Sequence, residues 1–131
     1  MAYPTGTGSE ILARTTIHAQ SNVTTAFRFD GTMATTGTST GVDYDVPALH
    51  IITVLSVIIT EQGGAAETFG LYMNDGGRNI QLLESQAIGV YGTFVWNDRF
   101  VIKGGDFLYA NLANTGNVDF LCTYIDQDWT T

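Results

Sequence analysis

The stretch LHIITVLSVIIT, residues 49–60, is the most apolar part of this sequence and decides its fold. Its β-branched residues favour an extended strand, and the run is well short of the roughly 20 apolar residues that a membrane-spanning helix needs. Strict alternation places Ile52, Val54 and Ile58 on one face of this strand and Ile51, Leu55, Val57 and Ile59 on the other. We therefore expect both faces to be shielded from water.

Outward from this segment, short apolar runs alternate with turn residues about every ten positions, a texture typical of a sandwich or jelly roll. The predicted strands are Ile11–His18, Val23–Asp30, Asp43–Val46, Leu49–Thr60, Glu67–Met73, Asn79–Glu84, Thr93–Lys103, Phe107–Leu112 and Val118–Asp126. Gly- and Asn-rich turns at 62–65, 74–77 and 114–117 predict three hairpins. The sequence thus predicts an all-β, antiparallel β-sandwich of jelly-roll type.

The length of 131 residues fits one domain. Residues 1–9 are small and polar, include Pro4, and predict a flexible N-terminal arm, so that residues 10–131 form the single jelly-roll domain. The segment between Asp30 and Asp43 is rich in Gly and Thr and predicts a surface loop with room for one short edge strand. In Val23–Asp30, Val23, Thr25, Phe27 and Phe29 alternate with Thr24, Ala26, Arg28 and Asp30, which predicts a half-buried strand.

Composition limits the classes of partner. A formal charge of −8 works against nucleic acid and anionic lipid, because Lys and Arg must supply the attraction to both. The single cysteine, Cys122, lies in an apolar strand and is expected to be an inert core residue. The N-terminus has no secretory signal pattern, so we expect that the chain is made and kept in the cytosol or leaves it by lysis.

No catalytic, cofactor-binding or metal-binding motif stands out. His18 and His50 lie in separate strands and lack zinc-ligand spacing. Two carboxylate pairs at i, i+2 could share a calcium ion or suggest glycoside hydrolysis, but such pairs are also common as solvated side chains; they are Asp43/Asp45 and Asp126/Asp128. We expect no cofactor and no enzymatic activity.

Exposed aromatic rings that stack on sugars are an alternative interpretation of four residues in this sequence. A platform of this kind would comprise Tyr72, Tyr91, Phe94 and Trp96. Phe94 and Trp96 share a strand face with Phe100, which favours a core or interface position for them instead.

The doubly apolar strands are an argument for oligomerisation. One face of each sheet of a sandwich lies inside, so a second apolar face requires cover from a loop, the arm or another subunit. The strands at 107–112 and 118–126 repeat the pattern seen at 49–60. The candidate interface residues are Ile51, Leu55, Val57, Ile59, Phe107, Tyr109, Leu121 and Ile125. The alternative is that the arm and loops cover these faces within one chain.

Four segments carry a family resemblance: VDYDVPA (42–48), FVWNDRFVI (94–102), GGDFLYA (104–110) and NVDFLCTYI (117–125). In this order they resemble small virion proteins of tailed bacteriophages that have a trimeric, tumour-necrosis-factor-like jelly roll. In that family a Val-Pro-Ala turn, often followed by glycine, immediately precedes the long central strand. A Gly-Asp pair forms the tight turn of the last hairpin. Here Leu49 stands in place of that glycine, and Gly105-Asp106 match the hairpin.

The resemblance implies a role. It implies a homotrimeric capsid decoration, or cement, protein that binds the major capsid protein on the outer surface of the head and is made in the host cytoplasm. The candidate capsid contacts lie in the arm and are Ala2, Tyr3, Pro4 and Thr5. The same module also occurs in tails and fibres, so the alternative is a receptor- or glycan-binding module of a phage tail or fibre.

Overall fold

A computed structural model describes residues 9–20, 22, 24–29, 33–35 and 46–130, and this part of the chain contains ten strands and no helix. The strands are β1 (Ser9–Ala19), β2 (Thr25–Ala26), β3 (Met33–Thr35), β4 (His50–Glu61), β5 (Glu67–Asn74), β6 (Asn79–Ile88), β7 (Thr93–Trp96), β8 (Phe100–Lys103), β9 (Phe107–Leu112) and β10 (Val118–Asp128). The short β3 lies within the predicted surface loop. Residues 1–8 of the predicted arm and residues 43–45 of the predicted strand Asp43–Val46 lie outside the described residues. Ser9 already belongs to β1, and Val46 is buried in the core.

Two sheets face each other. The six-stranded sheet has the order β3-β1-β10-β4, with β7 and β8 both pairing with β4, and the four-stranded sheet has the order β2-β9-β5-β6. All of these pairs are antiparallel except β1 with β3. Consecutive strands repeatedly switch sheets, which is the connectivity of a jelly roll. The predicted fold class is confirmed.

Only one of the three predicted hairpins joins neighbours within a sheet. The β5–β6 turn is a hairpin, in which the Asp75 carboxylate accepts the backbone N–H groups of Gly77 and Arg78 at 3.1 Å each. The connections at 62–65 and 114–117 instead cross between the two sheets. Gly-rich turn chemistry permits positive φ in either kind of connection, so it does not distinguish a hairpin from a crossing.

The Gly105-Asp106 turn is also a crossing. It joins β8 in the six-stranded sheet to β9 in the four-stranded sheet, so the expectation of a tightened hairpin was wrong. Gly105 has φ 90°, and the Asp106 N–H donates to the Lys103 carbonyl at 2.9 Å. A positive φ at the third residue of a four-residue turn is the geometry that favours glycine.

The core lies between the sheets and is dominated by aromatic edge-to-face contacts. Phe120 packs against Phe27 and Phe69, with ring centroids 6.3 Å and 5.8 Å apart. Of the predicted strand Val23–Asp30 the structure describes residues 24–29, and among these only Thr25–Ala26 pairs as a strand. Thr25 and Phe27 are buried as the half-buried pattern predicts, whereas Ala26, expected on the solvent face, is as fully buried as Phe27. Ala26 lies directly opposite Tyr109, and so large a neighbour shields a methyl group from solvent.

A β-bulge in β4 overturns the strict alternation expected for 49–60. Along β10, Thr123 pairs with Ser56 but Tyr124 pairs with Val54, so Leu55 is an extra residue. The buried positions therefore shift by one, from Ile52 and Val54 before the bulge to Val57 and Ile59 after it. Val57 and Ile59, both predicted interface residues, are instead core residues of the chain.

The predicted strand Thr93–Lys103 is interrupted next to this bulge. β7 pairs with residues 57–60 of β4 and β8 with residues 51–54, leaving exposed residues 97–99 between them. β7 and β8 therefore both end beside the extra residue Leu55. Each of them pairs with one half of β4 in its own register.

Candidate functional site

The outer face of the six-stranded sheet carries two apolar rows that run across four strands. One row comprises Leu12, Ile125, Thr53 and Val101, and the other comprises Thr16, Leu121, Ile58 and Val95. Leu12 is 70% exposed, Val95 48% and Val101 43%. We call these two rows the apolar face. A polar row of Arg14, Thr123 and Ser56 separates the two apolar rows. Exposed apolar side chains grouped in this way are typical of interaction surfaces.

An open groove of about 570 Å³ lies at one end of the apolar face. Ile58 and Leu121 contribute to its walls, and His18 and Asp119 line it with a polar edge. His18 Nδ1 lies 2.6 Å from Asp119 Oδ1, and the Gln62 side-chain amide donates to the other oxygen of Asp119. His18, Asp119 and Gln62 thus bind one another. The apolar side chains of Ile58 and Leu121 are left to contact another molecule.

The far end of the same sheet holds a second histidine–aspartate group. His50 Nδ1 lies 2.8 Å from Asp126 Oδ1, and His50 Nε2 lies 3.4 Å from Asp128 Oδ1. Hydrogen bonds from the Thr130 hydroxyl and amide hold the pKa of Asp128 below its ordinary value, and His50 adds to this effect. The Asp126/Asp128 pair considered for calcium therefore faces an imidazole, while Asp43 and Asp45 lie outside the described residues.

The described ones among the predicted interface residues lie in four places. Ile51, Leu121 and Ile125 are half-buried and lie on the outer side of the six-stranded sheet, and Leu55 is half-buried at the bulge. Val57 and Ile59 are in the core. Phe107 and Tyr109 lie on the outer side of the opposite, four-stranded sheet. The arm residues Ala2, Tyr3, Pro4 and Thr5 lie outside the described residues.

The four aromatic residues considered for a platform do not lie together. Trp96 pairs with the core residue Val57, and the Phe94 ring packs 5.6 Å from that of Phe69. Tyr91 is 70% exposed in a turn, and Tyr72 belongs to the four-stranded sheet. Phe94 and Trp96 instead face inward and pack against the core together with Phe100, which is the core position that their shared strand face favoured.

A different aromatic cluster, not predicted from the sequence, covers part of the four-stranded sheet. The rings of Tyr72 and Tyr109 are 5.1 Å apart, and those of Phe107 and Tyr109 are stacked at 5.5 Å. We call these three residues the aromatic cluster. The i, i+2 spacing already placed Phe107 and Tyr109 on one strand face, as candidate interface residues. That Tyr72 lies beside them depends on the register between β5 and β9, which the sequence does not reveal.

The buried Glu61 has a structural role. Its carboxylate accepts backbone N–H groups from Gly63 at 2.6 Å, Gly64 at 3.2 Å, Ala65 at 3.4 Å and Tyr91 at 2.8 Å. The Tyr91 bond above all, together with the other three, lowers the pKa of Glu61 against the opposing effect of desolvation. One carboxylate thus joins the β4–β5 crossing to the β6–β7 turn.

The described part of the chain offers little reactive chemistry. Within it, no group of three or more His, Cys, Asp or Glu side chains could hold a metal ion. Cys122 is buried, and desolvation raises the pKa of its thiol to about 12, so the nucleophilic thiolate is not formed near neutral pH. The described residues also contain no helix capable of crossing a membrane.

No protein-family profile matches this sequence, and no curated protein is significantly similar to it. The apolar face, the groove and the aromatic cluster are therefore the features that indicate what this chain binds.

Proposed function

We propose that this chain is a non-enzymatic structural subunit that forms a homotrimer through the apolar face and decorates the head of a tailed bacteriophage by binding the major capsid protein. The observation that carries self-association is the pair of apolar rows on the outside of the six-stranded sheet. Burying apolar surface contributes about 25 cal/mol per Å², so covering these rows with another copy of the chain is favourable.

The placement on a phage head is supported by the sequence resemblance and by charge. The segments 42–48, 94–102, 104–110 and 117–125 resemble trimeric virion jelly rolls. A chain with a formal charge of −8 is repelled by packaged DNA, which favours the outer surface of the shell. A subunit that bridges neighbouring capsid proteins stabilises the shell by mass action and needs no catalytic chemistry.

The first test of self-association is the mass of the assembly in solution. Native mass spectrometry of the purified protein should give three times 14.1 kDa. Ile58→Lys and Leu121→Lys place a charge in the middle of an apolar row and should give folded monomers, because burying an unpaired charge costs several kcal/mol. Gln81→Lys, on an exposed position of the other sheet, is the matched control and should stay trimeric.

Capsid binding is tested separately by cosedimentation with bare phage heads. The wild-type protein should sediment with the heads up to a fixed stoichiometry, and the Ile58→Lys variant should sediment more weakly because a monomer loses the multivalent contribution of its trimer. Trimers that fail to bind heads would leave the assembly proposal standing and remove the capsid role.

A further inference from the structure

The aromatic cluster lies on the side of the sandwich away from the apolar face. Tyr72 and Tyr109 are directly paired across β5 and β9, and Phe107 precedes Tyr109 on the same face. All three are half-buried, so each ring keeps part of its surface exposed to solvent. Together they form a row of adjoining rings across two strands.

A polar depression of about 210 Å³ adjoins this row. Among its lining residues are Gln81, Glu84, Ser85 and Asn111. Gln81 pairs with Tyr72, so the depression begins directly beside the aromatic cluster. The site therefore combines flat apolar rings with amide, hydroxyl and carboxylate groups.

Backbone irregularities create the depression. The β5–β6 register shifts on both sides of Leu71, and Ser85 has φ 52°. Gly70 lies under Asn111, where an added Cβ would come within 2.5 Å of the Asn111 side-chain oxygen. Bulges and strained residues of this kind occur preferentially next to binding sites.

We propose that the aromatic cluster and the adjoining depression form a binding site for a neutral oligosaccharide. A sugar ring has an apolar face of C–H groups and a rim of hydroxyls, so it can stack on tyrosine and phenylalanine rings while its hydroxyls bond amides and carboxylates. The row of rings and the depression lie side by side and could each hold one sugar unit. This arrangement matches a short chain better than a single monosaccharide.

The negative charge of the chain favours one class of saccharide over another. The chain carries −8 overall, and Glu84 lines the depression. An acidic sugar would be repelled by both, whereas a neutral sugar would gain a charge-assisted hydrogen bond from the carboxylate. We therefore assign the site to neutral rather than anionic oligosaccharides.

The test is a titration of the ¹⁵N-labelled protein followed by NMR. The neutral probes are cellotetraose, maltotetraose and chitotetraose, and the anionic probe is tetragalacturonic acid. At least one neutral probe should cause saturable shifts in β5, β6 and β9 and none in β1 or β10, and the anionic probe should bind at least ten times more weakly.

Variants locate the site. Tyr72→Ala and Tyr109→Ala should each weaken binding of the neutral probe about tenfold or more, whereas Tyr91→Ala, which removes an exposed tyrosine elsewhere, should leave it unchanged. Gln81→Ala, a surface change that does not threaten folding, should weaken binding several-fold. The proposal is overturned if no neutral probe causes saturable shifts, if the shifts lie on the six-stranded sheet, or if Tyr91→Ala and Tyr72→Ala weaken binding equally.

Discussion

Leu49 is the one residue at which the chain departs from the turn pattern it resembles, and the structure gives the consequence. Leu49 has φ 63°, in the left-handed region that favours glycine, and it closes a turn in which the His50 N–H donates to the Pro47 carbonyl at 3.1 Å. The backbone therefore keeps the conformation of a glycine turn despite the leucine side chain.

Leu49→Gly should accordingly be tolerated. Left-handed backbone costs an L-residue about 1–2 kcal/mol, and the greater chain entropy of unfolded glycine offsets about 0.5–1 kcal/mol of the relief. We expect the free energy of unfolding to rise by up to about 1.5 kcal/mol, and Leu49→Val to lower it because β-branching disfavours this region. Urea denaturation of both variants measures the difference, and a marked loss in Leu49→Gly would mean that contacts of the leucine side chain outweigh the strain.

Glu61 links stability to pH. Its pKa is lowered from an ordinary value of 4.5 by the Tyr91 amide and three further backbone amides. A carboxylate with a lowered pKa in the folded state contributes stability above its unfolded pKa, and this contribution is lost as the pH falls through the folded value. The protein should therefore lose stability below pH 4.5, in part through Glu61.

The Glu61→Gln variant isolates this contribution. It should be less stable than the wild type at neutral pH, and the difference should shrink as the pH falls below 4.5. Glu84→Gln, at an exposed position, is the control and should follow the wild-type curve. Thermal unfolding across this pH range measures all three, and a constant difference between Glu61→Gln and wild type would exclude the linkage.

At the scale of strands, the sequence predicted the elements better than their connections. Apolar alternation is local and identified β1, β4, β5, β9 and β10 within a few residues. The bulge at Leu55 is not local, because an extra residue is recognisable only against the partner strand. The candidate site could not be predicted from local alternation for the same reason. Only the register shift puts Ile58 on the apolar face and Val57 in the core.

Substitutions at two adjacent residues of β4 test the register shift at the bulge. Val57→Asp puts an unpaired carboxylate in the core, where Val57 is fully buried, and should lower the free energy of unfolding by several kcal/mol. Ile58→Asp should fold, because Ile58 faces outward, and should fail to trimerise. Circular dichroism melts combined with native mass spectrometry distinguish the two outcomes, and the reverse pattern would mean that β4 runs without a bulge.

For the whole molecule, the two outer faces differ in chemistry and can act at the same time. The six-stranded sheet presents aliphatic rows and the four-stranded sheet presents aromatic rings beside polar groups. A trimer that covers the first sheet leaves the second exposed in three copies. Three weak saccharide sites on one particle would bind a polysaccharide surface far more tightly than one site, because the second and third contacts are intramolecular.

The thermal stability of the phage head tests whether the bound protein stabilises the shell. A ligand that binds the intact shell and not its dissociated subunits stabilises the shell by mass action, so decorated heads should release DNA at a higher temperature than bare heads. The monomeric Ile58→Lys variant should protect weakly, because each chain then binds alone. Tyr72→Ala should protect as well as wild type, because the aromatic cluster lies on the other sheet.

The temperature at which the heads release DNA can be followed by the fluorescence of a DNA-binding dye. Equal release temperatures for bare and decorated heads would remove the cement role, and loss of protection in Tyr72→Ala alone would place the capsid contact on the four-stranded sheet.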